Sequence, residues 1–388
     1  MNSPPVVDLR PHGDRETLLL LDCARATIEP ETAGRIQARV ADGLNWDRLV
    51  ALAQRHGLAP LLYAHLSQVC PAQVPAGTLA FLQDYAQKNT AFGVLLTGDL
   101  VRLLKVLEKN GITAVPYKGP ALALKLYGNV ARRQFADLDI LVRRRDVWEA
   151  SRVIEAEGFE AVFPIPSAMR ARLLSHAYVR MFHRGSSRTL VELHWDIAEP
   201  YWAIRFDADA MWRRLEPMSL PGATAYVPCA EDLLLLLCVH GVRHGSDKLE
   251  GIGSVAALLR GTPDLDWDRV WRRAAEMHCR RILAFGLLLA AGLFEVPLPA
   301  QAAAVSRSRA LLAMAGATVR ELVADHPPAR TWRRQVAFQM RLKDSRADQA
   351  RYCARVLTSG PDDWAMLRLP ESLSFVYPLV RVVRLARK

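Results

Sequence analysis

Residues 118–142 read KGPALALKLYGNVARRQFADLDILV, and their end, Phe135-Ala136-Asp137-Leu138-Asp139-Ile140-Leu141-Val142, decides the fold. Alternation at period two puts Ala136, Leu138, Ile140 and Val142 on one face of a strand and Asp137, Asp139 and Leu141 on the other. Two carboxylates on one strand face repel each other. A divalent metal between them is the natural remedy, because hard cations take carboxylate oxygens as ligands. An exposed strand edge with two solvated acids is the plainer reading of so short a motif.

Working outward, Ile112 to Tyr117 reads as a strand whose pairing is limited by Pro116. Lys118-Gly119-Pro120 forms a turn, and Pro120 opens a helix running to Tyr127. Gly128 to Arg133 is a loop. Beyond the carboxylate strand, Asp146 is placed to cap a helix from Val147 to Glu157, closed by Gly158. Phe159 to Phe163 reads as a further strand. Tyr178 to Arg184 and Thr189 to Trp195 form a hairpin around Gly185-Ser186-Ser187-Arg188. In Thr189 to Asp196, alternation gathers Leu190, Glu192, His194 and Asp196 on one face and Val191, Leu193 and Trp195 on the other. A carboxylate emerging among apolar neighbours is costly unless it is compensated. A metal shared by Glu192, Asp137 and Asp139 removes that cost. It also gives three carboxylates from two strands, the donor set of a two-metal phosphoryl-transfer site. The two strands are therefore expected to be neighbours in one sheet, with the three carboxylates converging.

The motifs Tyr117-Lys118-Gly119, Leu126-Tyr127-Gly128, Arg133-x-x-x-Asp137-Leu138-Asp139-Ile140-Leu141-Val142 and Val191-Glu192-Leu193-His194-Trp195, with His240 and His244 in VHGVRH and the tail DDWAMLRLPESLSFVYPLVRVVRL, resemble one family over nearly the whole chain. It is the polymerase-β-type nucleotidyltransferase superfamily, and within it the bacterial group of uncharacterised nucleotidyltransferases. The resemblance implies an α+β fold: a small mixed β-sheet nucleotidyltransferase core flanked by N-terminal and C-terminal helical regions. It implies transfer of an NMP from an NTP, ATP being the expected donor, to an acceptor hydroxyl. The acceptor is a sugar, a small molecule, a protein side chain or an RNA end, and pyrophosphate leaves. Mg²⁺ or Mn²⁺ would be held by Asp137, Asp139 and Glu192. Lys118, Gly119 and Arg133 would meet the triphosphate, and His194, Asp196, His240 and His244 are candidate substrate contacts. Lys118-Gly119-Pro120 stands where the superfamily has Gly-Ser or Gly-Gly, and Ser254 stands where the related group often has Asp.

Several readings rest on the residues alone. His240 and His244 have the spacing of a zinc pair, but HGVRH lacks the Glu of H-E-x-x-H and no third ligand is evident. Packing or acceptor contact is expected of them, and packing or capping of His56. Regions 1–94 and 229–388 read as helical and 95–228 as the α+β catalytic domain. The uncharged run Ile282 to Phe294 is too short to span a bilayer and reads as a buried helix. The N-terminus lacks a basic flank followed by an apolar core, so no secretory signal is expected. Six scattered cysteines without a C-x-x-C pair point to neither a zinc site nor a disulfide framework, and a reduced cytoplasmic setting is expected.

A net charge of +11 suggests an anionic partner, nucleotide, nucleic acid or acidic surface. The alternative function is therefore a catalytically inactive nucleotidyltransferase fold that binds nucleic acid or an anionic surface. Arg381, Arg384 and Arg387 are expected at the surface. Asp139→Asn is expected to leave the metal-free fold level or slightly more stable, because it removes one of two repelling anions.

Overall fold

Leu138, Ile140 and Val142 are buried, and so are Val191 and Leu193. Each aliphatic side chain removed from water contributes roughly 1.5–3 kcal/mol, so these two runs are driven to one apolar layer. The computed structural model describes residues 8–185, 189–298, 300–302, 308–329, 331–356, 361–366 and 376–386. Its main sheet is built from β1 (Ala114–Pro116), β2 (Asp137–Val142), β3 (Glu160–Ala161), β4 (Val179–Arg184) and β5 (Thr189–His194). The order is β1-β2-β5-β4-β3. β2 and β5 run parallel, with Asp139 opposite Glu192 and Leu141 opposite His194. The other pairs are antiparallel, so the sheet is mixed. The loop residues 186–188, read as the hairpin turn, lie outside the described residues.

The sheet's apolar face packs on the helices Ala76–Lys109 and Val147–Ala156, through Leu96, Leu100, Leu103 and Ile154. Trp364, Tyr377 and Val380 from the end of the chain join the same layer. A second apolar cluster joins N-terminal residues such as Leu20 and Leu62 to Leu234, Val255 and Leu288 of the C-terminal half. The two helical regions flank the sheet from opposite ends of the sequence but share one core. The helix Ala76–Lys109 is continuous, so the boundary expected between residues 94 and 95 falls inside it. Asn110 and Gly111 end that helix as read, and Arg280–Phe294 is a buried helix. No helix among the described residues is long and apolar enough to cross a membrane.

Some local readings need correction. The side chain of Asp146 makes no capping hydrogen bond and lies 3.6 Å from the Arg145 guanidinium instead. The strand read over Phe159 to Phe163 is reduced to β3, because only Glu160 and Ala161 find partners on β4. A separate hairpin, β6 (Leu215–Leu220) and β7 (Ala223–Pro228), turns at Gly222 and was not read from the sequence. His56 is buried against the Leu322 carbonyl, 3.0 Å from its Nε2, in keeping with a packing role.

The turn before the carboxylate strand depends on one glycine. Gly119 has φ +56°, and a Cβ there would lie 2.9 Å from the carbonyl oxygen of Asp137. Both the left-handed backbone and the close approach exclude a side chain. Pro120 then starts the helix Gly119–Tyr127, and Gly128 closes it at φ 64°. Gly119→Ala is expected to cost about 1–3 kcal/mol, read as a lower denaturant midpoint with unchanged slope. An unaltered midpoint would show that the turn relaxes freely.

Candidate active site

The face of the sheet opposite the core carries Asp137 and Asp139 on β2 and Glu192 and His194 on β5. Register brings Asp139, Glu192 and His194 together, with one ligand atom of each within 4.8 Å of the others. Asp139 is 2% exposed and His194 fully buried. His194 Nε2 lies 3.1 Å from Asp139 Oδ1 and 3.1 Å from Glu192 Oε2. One N–H on Nε2 thus faces both carboxylates. Tyr117 meets the imidazole edge-on, with ring centres 5.5 Å apart, and Tyr178 lies 5.6 Å away. Asp137 sits at the start of β2, one alternation along the same face and half-buried.

Lys118 enters this cluster from the turn. Its Nζ lies 2.5 Å from Asp139 Oδ1 and 3.2 Å from His240 Nδ1, and its side chain is buried. Burial alone would push Asp139 up. The Lys118 ammonium and His194 outweigh it and hold the carboxyl well below the usual carboxylate range. Glu192 is also lowered against its burial, chiefly by His194. Asp137 behaves oppositely: burial and the neighbouring Asp139 push it up to about 6 against the pull of Lys118. Burial, with Lys118 beside it, drives His240 well below the ordinary imidazole range. It is therefore the neutral acceptor for the lysine. His244 lies against His240 with its ring tilted by 53° and the ring centres 4.6 Å apart, and neither belongs to the metal-competent cluster.

The remaining expected site residues are placed differently. The Arg133 guanidinium does not stand free for phosphate: its Nε lies 2.6 Å from Glu250 Oε1, which also accepts from Ser254 Oγ at 2.9 Å. Ser254 thus serves an internal network with Glu250 and Arg133. Asp196 lies outside the cluster. Its Oδ1 accepts from the Ile197 amide at 2.7 Å, and burial pushes its carboxyl up to about 6. The tail expectation is corrected: Arg381 is buried, and Arg381 and Arg384 pair with the fully buried Asp363 at 3.3 and 2.6 Å. Arg387 lies outside the described residues. Sequence reading missed Glu250, Tyr178 and the Arg243–Glu199 pair at 3.0 Å, which borders Tyr178. Glu250 follows the HGSDKL turn four residues before Ser254, the one local signal that could have drawn attention to it.

The donor set can be tested against a divalent cation. Asp137, Asp139 and Glu192 carry three negative charges against one ammonium, Lys118, an excess that a divalent ion would neutralise. Hard carboxylate oxygens fit Mg²⁺ or Mn²⁺. His194 fits less well as a ligand. Its Nδ1 is buried with no hydrogen-bond partner, whereas a metal-bound histidine donates its other N–H to a partner. It acts instead as a donor holding the two carboxylates side by side.

The raised carboxyl of Asp137 makes a pH prediction. A folded pKa near 6, above the unfolded value of 3.8, means the native state holds a proton that the unfolded chain has lost between those values. Stability through this group therefore falls as pH rises from about 4 to about 6, and the penalty is complete above 6. Asp137→Asn should remove that slope and raise metal-free stability at pH 7 by about 1–2 kcal/mol, with no gain at pH 4. Urea midpoints of both proteins at the two pH values check this, and a gain independent of pH would contradict it.

A family model described as an uncharacterised nucleotidyltransferase matches residues 42–295. That span contains the whole main sheet, the carboxylate cluster and the helix Arg280–Phe294. No curated protein and no solved structure matches the chain.

Proposed function

The chain belongs to the uncharacterised nucleotidyltransferase family, and from that premise we propose that it transfers an NMP from an NTP, with ATP the expected donor, to an acceptor hydroxyl. In the step, the acceptor oxygen forms a bond to the α-phosphorus and the bond from that phosphorus to the bridging oxygen breaks. Pyrophosphate carries away the electron pair. The observation that carries the reading is the convergence of Asp139 and Glu192 on adjacent parallel strands, with Asp137 one alternation along.

Asp137, Asp139 and Glu192 would hold the divalent metal. When bound, such an ion neutralises phosphate charge and favours ionisation of the attacking hydroxyl. His194, 3.1 Å from both, keeps Asp139 and Glu192 side by side. Asp137, raised to about 6 while the carboxylates stand alone, must shed any proton it holds before a cation binds, so occupancy should fall as pH drops below about 6. Lys118 is the counter-charge of Asp139 while the carboxylates stand alone. Once a cation takes over that duty, its ammonium is free to meet a phosphate oxygen. Arg133, tied to Glu250, fixes the loop that leads into β2.

A second reading draws on the Lys118–Asp139 pair, which balances part of the site's charge without any cation. On that reading the fold binds nucleic acid or another anionic partner and performs no chemistry. Incubation with each α-labelled NTP, Mg²⁺ or Mn²⁺ and cell extract separates the two. Label transfer and pyrophosphate release that stop with EDTA support the enzyme. Binding that weakens steeply with salt, ignores EDTA and yields no pyrophosphate supports the second reading.

A further inference from the structure

A cavity of about 870 Å³ opens beside the helices Arg309–Val323 and Trp332–Arg341, largely beyond the residues that the family model matches. Its size falls within the range of about 300–1,000 Å³ typical of small-molecule sites. One wall is apolar. Ala310, Ala313, Met314 and Ala317 recur along one side of the first helix, and Phe338 comes from the second. The rest of the lining is mostly polar and includes five cationic side chains against two carboxylates.

The charged groups are not equivalent. Glu321 is taken by Arg334 at 2.5 Å, and Asp344 accepts the backbone amides of Arg280 and Arg281 at 2.9 and 2.8 Å. Lys343 donates to the Trp202 carbonyl at 2.5 Å and lies against the rings of Trp202 and Tyr352. Arg281 turns its Nε to the Arg341 carbonyl at 3.0 Å. Arg341 and Arg346 remain: both are exposed, both line the cavity, and neither side chain has a carboxylate partner among the described residues. Two unpaired guanidinium groups over an apolar wall match a ligand with a doubly charged head and an apolar body. We propose that this cavity binds a phosphate monoester carried on an apolar group, at a site separate from the carboxylate cluster.

The position gives the site a physical link to the rest of the molecule. Gly245 lies in its wall, and Gln335 Nε2 donates to the Arg243 carbonyl at 2.9 Å. Arg243 ends the helix Ala230–Arg243, which carries His240 to Lys118. A ligand in the cavity therefore touches the far side of the turn that follows this helix.

The test is calorimetric titration of the full-length protein, without metal and at low salt, with 1-naphthyl phosphate, inorganic phosphate, 1-naphthol and 1-naphthoate. Saturable binding of 1-naphthyl phosphate, at least tenfold tighter than the other three probes, is the expected result. Arg341→Gln combined with Arg346→Gln should weaken it at least tenfold. Ala317→Trp should block it by filling the apolar wall. Glu192→Gln should leave it unchanged, because the two sites share no residue. Naphthyl phosphate binding no tighter than phosphate or naphthol, tighter binding of naphthoate, or wild-type affinity in the double variant would each overturn the proposal. Altered affinity in Glu192→Gln, which removes a charge that repels anions, would place the anion in the carboxylate cluster instead and overturn it as well. None of these readouts depends on nucleotidyl transfer, so failure here leaves the proposed activity standing.

Discussion

Asp139→Asn is expected to abolish nucleotidyl transfer and to lower metal-free stability at pH 7 by about 2–3 kcal/mol. The second part reverses the expectation drawn from two repelling anions. Asp139 is not chiefly one of a repelling pair. It is the buried partner of the Lys118 ammonium at 2.5 Å and of His194 at 3.1 Å. Removing its charge leaves the ammonium buried with less compensation, and the asparagine oxygen retains one hydrogen bond, so the loss is partial. Because the folded carboxyl is held below the ordinary value of 3.8, its contribution is full above that value and is lost as pH falls through the more acidic folded pKa. The stability gap between wild type and variant should thus be widest at neutral pH and close in acid. A thermal-shift series carried from pH 7.5 to below pH 3 reads it, with the gap level above about 4 and narrowing only beneath that. An equal gap at every pH would show that the cost is steric.

Lys118→Met should have the opposite signature toward metal. Methionine fills a similar volume but leaves Asp139 and Glu192 without their ammonium. Breaking a buried pair from this side costs about 3–5 kcal/mol at neutral pH. The vacated charge makes the carboxylates better ligands, so added Mg²⁺ should stabilise Lys118→Met more than wild type, whereas Asp139→Asn should respond less than wild type. Turnover of Lys118→Met should still fall by about a hundredfold, the typical loss of one donor to a developing phosphoryl charge. Thermal shifts across a Mg²⁺ titration, together with pyrophosphate release, measure both effects. A metal response equal to that of wild type would mean that Lys118 and the cation do not occupy the same charge.

The part of this arrangement that depends on alternation was legible in the sequence. Period two in ADLDILV and TLVELHWD assigned Asp137, Asp139, Glu192 and His194 to their faces, and the register of β2 on β5 agrees with it. Lys118 was legible as a basic residue at a glycine turn but not as the partner of Asp139. Its direction depends on how Gly119 folds the turn back on the Asp137 carbonyl. The Arg133–Glu250 pair joins residues 117 positions apart, so no local pattern could announce it. The β6–β7 hairpin was hidden by Pro217 and Pro221, which weaken a strand reading even at the edge of a small two-stranded sheet. The tail's arginines read as surface charge because their partner, Asp363, is buried and lies an uneven 18 and 21 residues upstream.

The measurement closest to the central claim is calorimetric titration of each NTP into the wild-type protein and Glu192→Gln, with Mg²⁺ and again with EDTA. Glu192 lies opposite Asp139 and is paired with neither Lys118 nor Arg133, and glutamine keeps an acceptor oxygen for His194, so the substitution tests the cation site while leaving the Lys118–Asp139 pair in place. If Asp139 and Glu192 hold a metal for a nucleotide, at least one NTP binds wild type only with Mg²⁺, and Glu192→Gln loses that binding while still folding. No Mg²⁺-dependent binding of any NTP, or the same affinity in Glu192→Gln, would contradict the account.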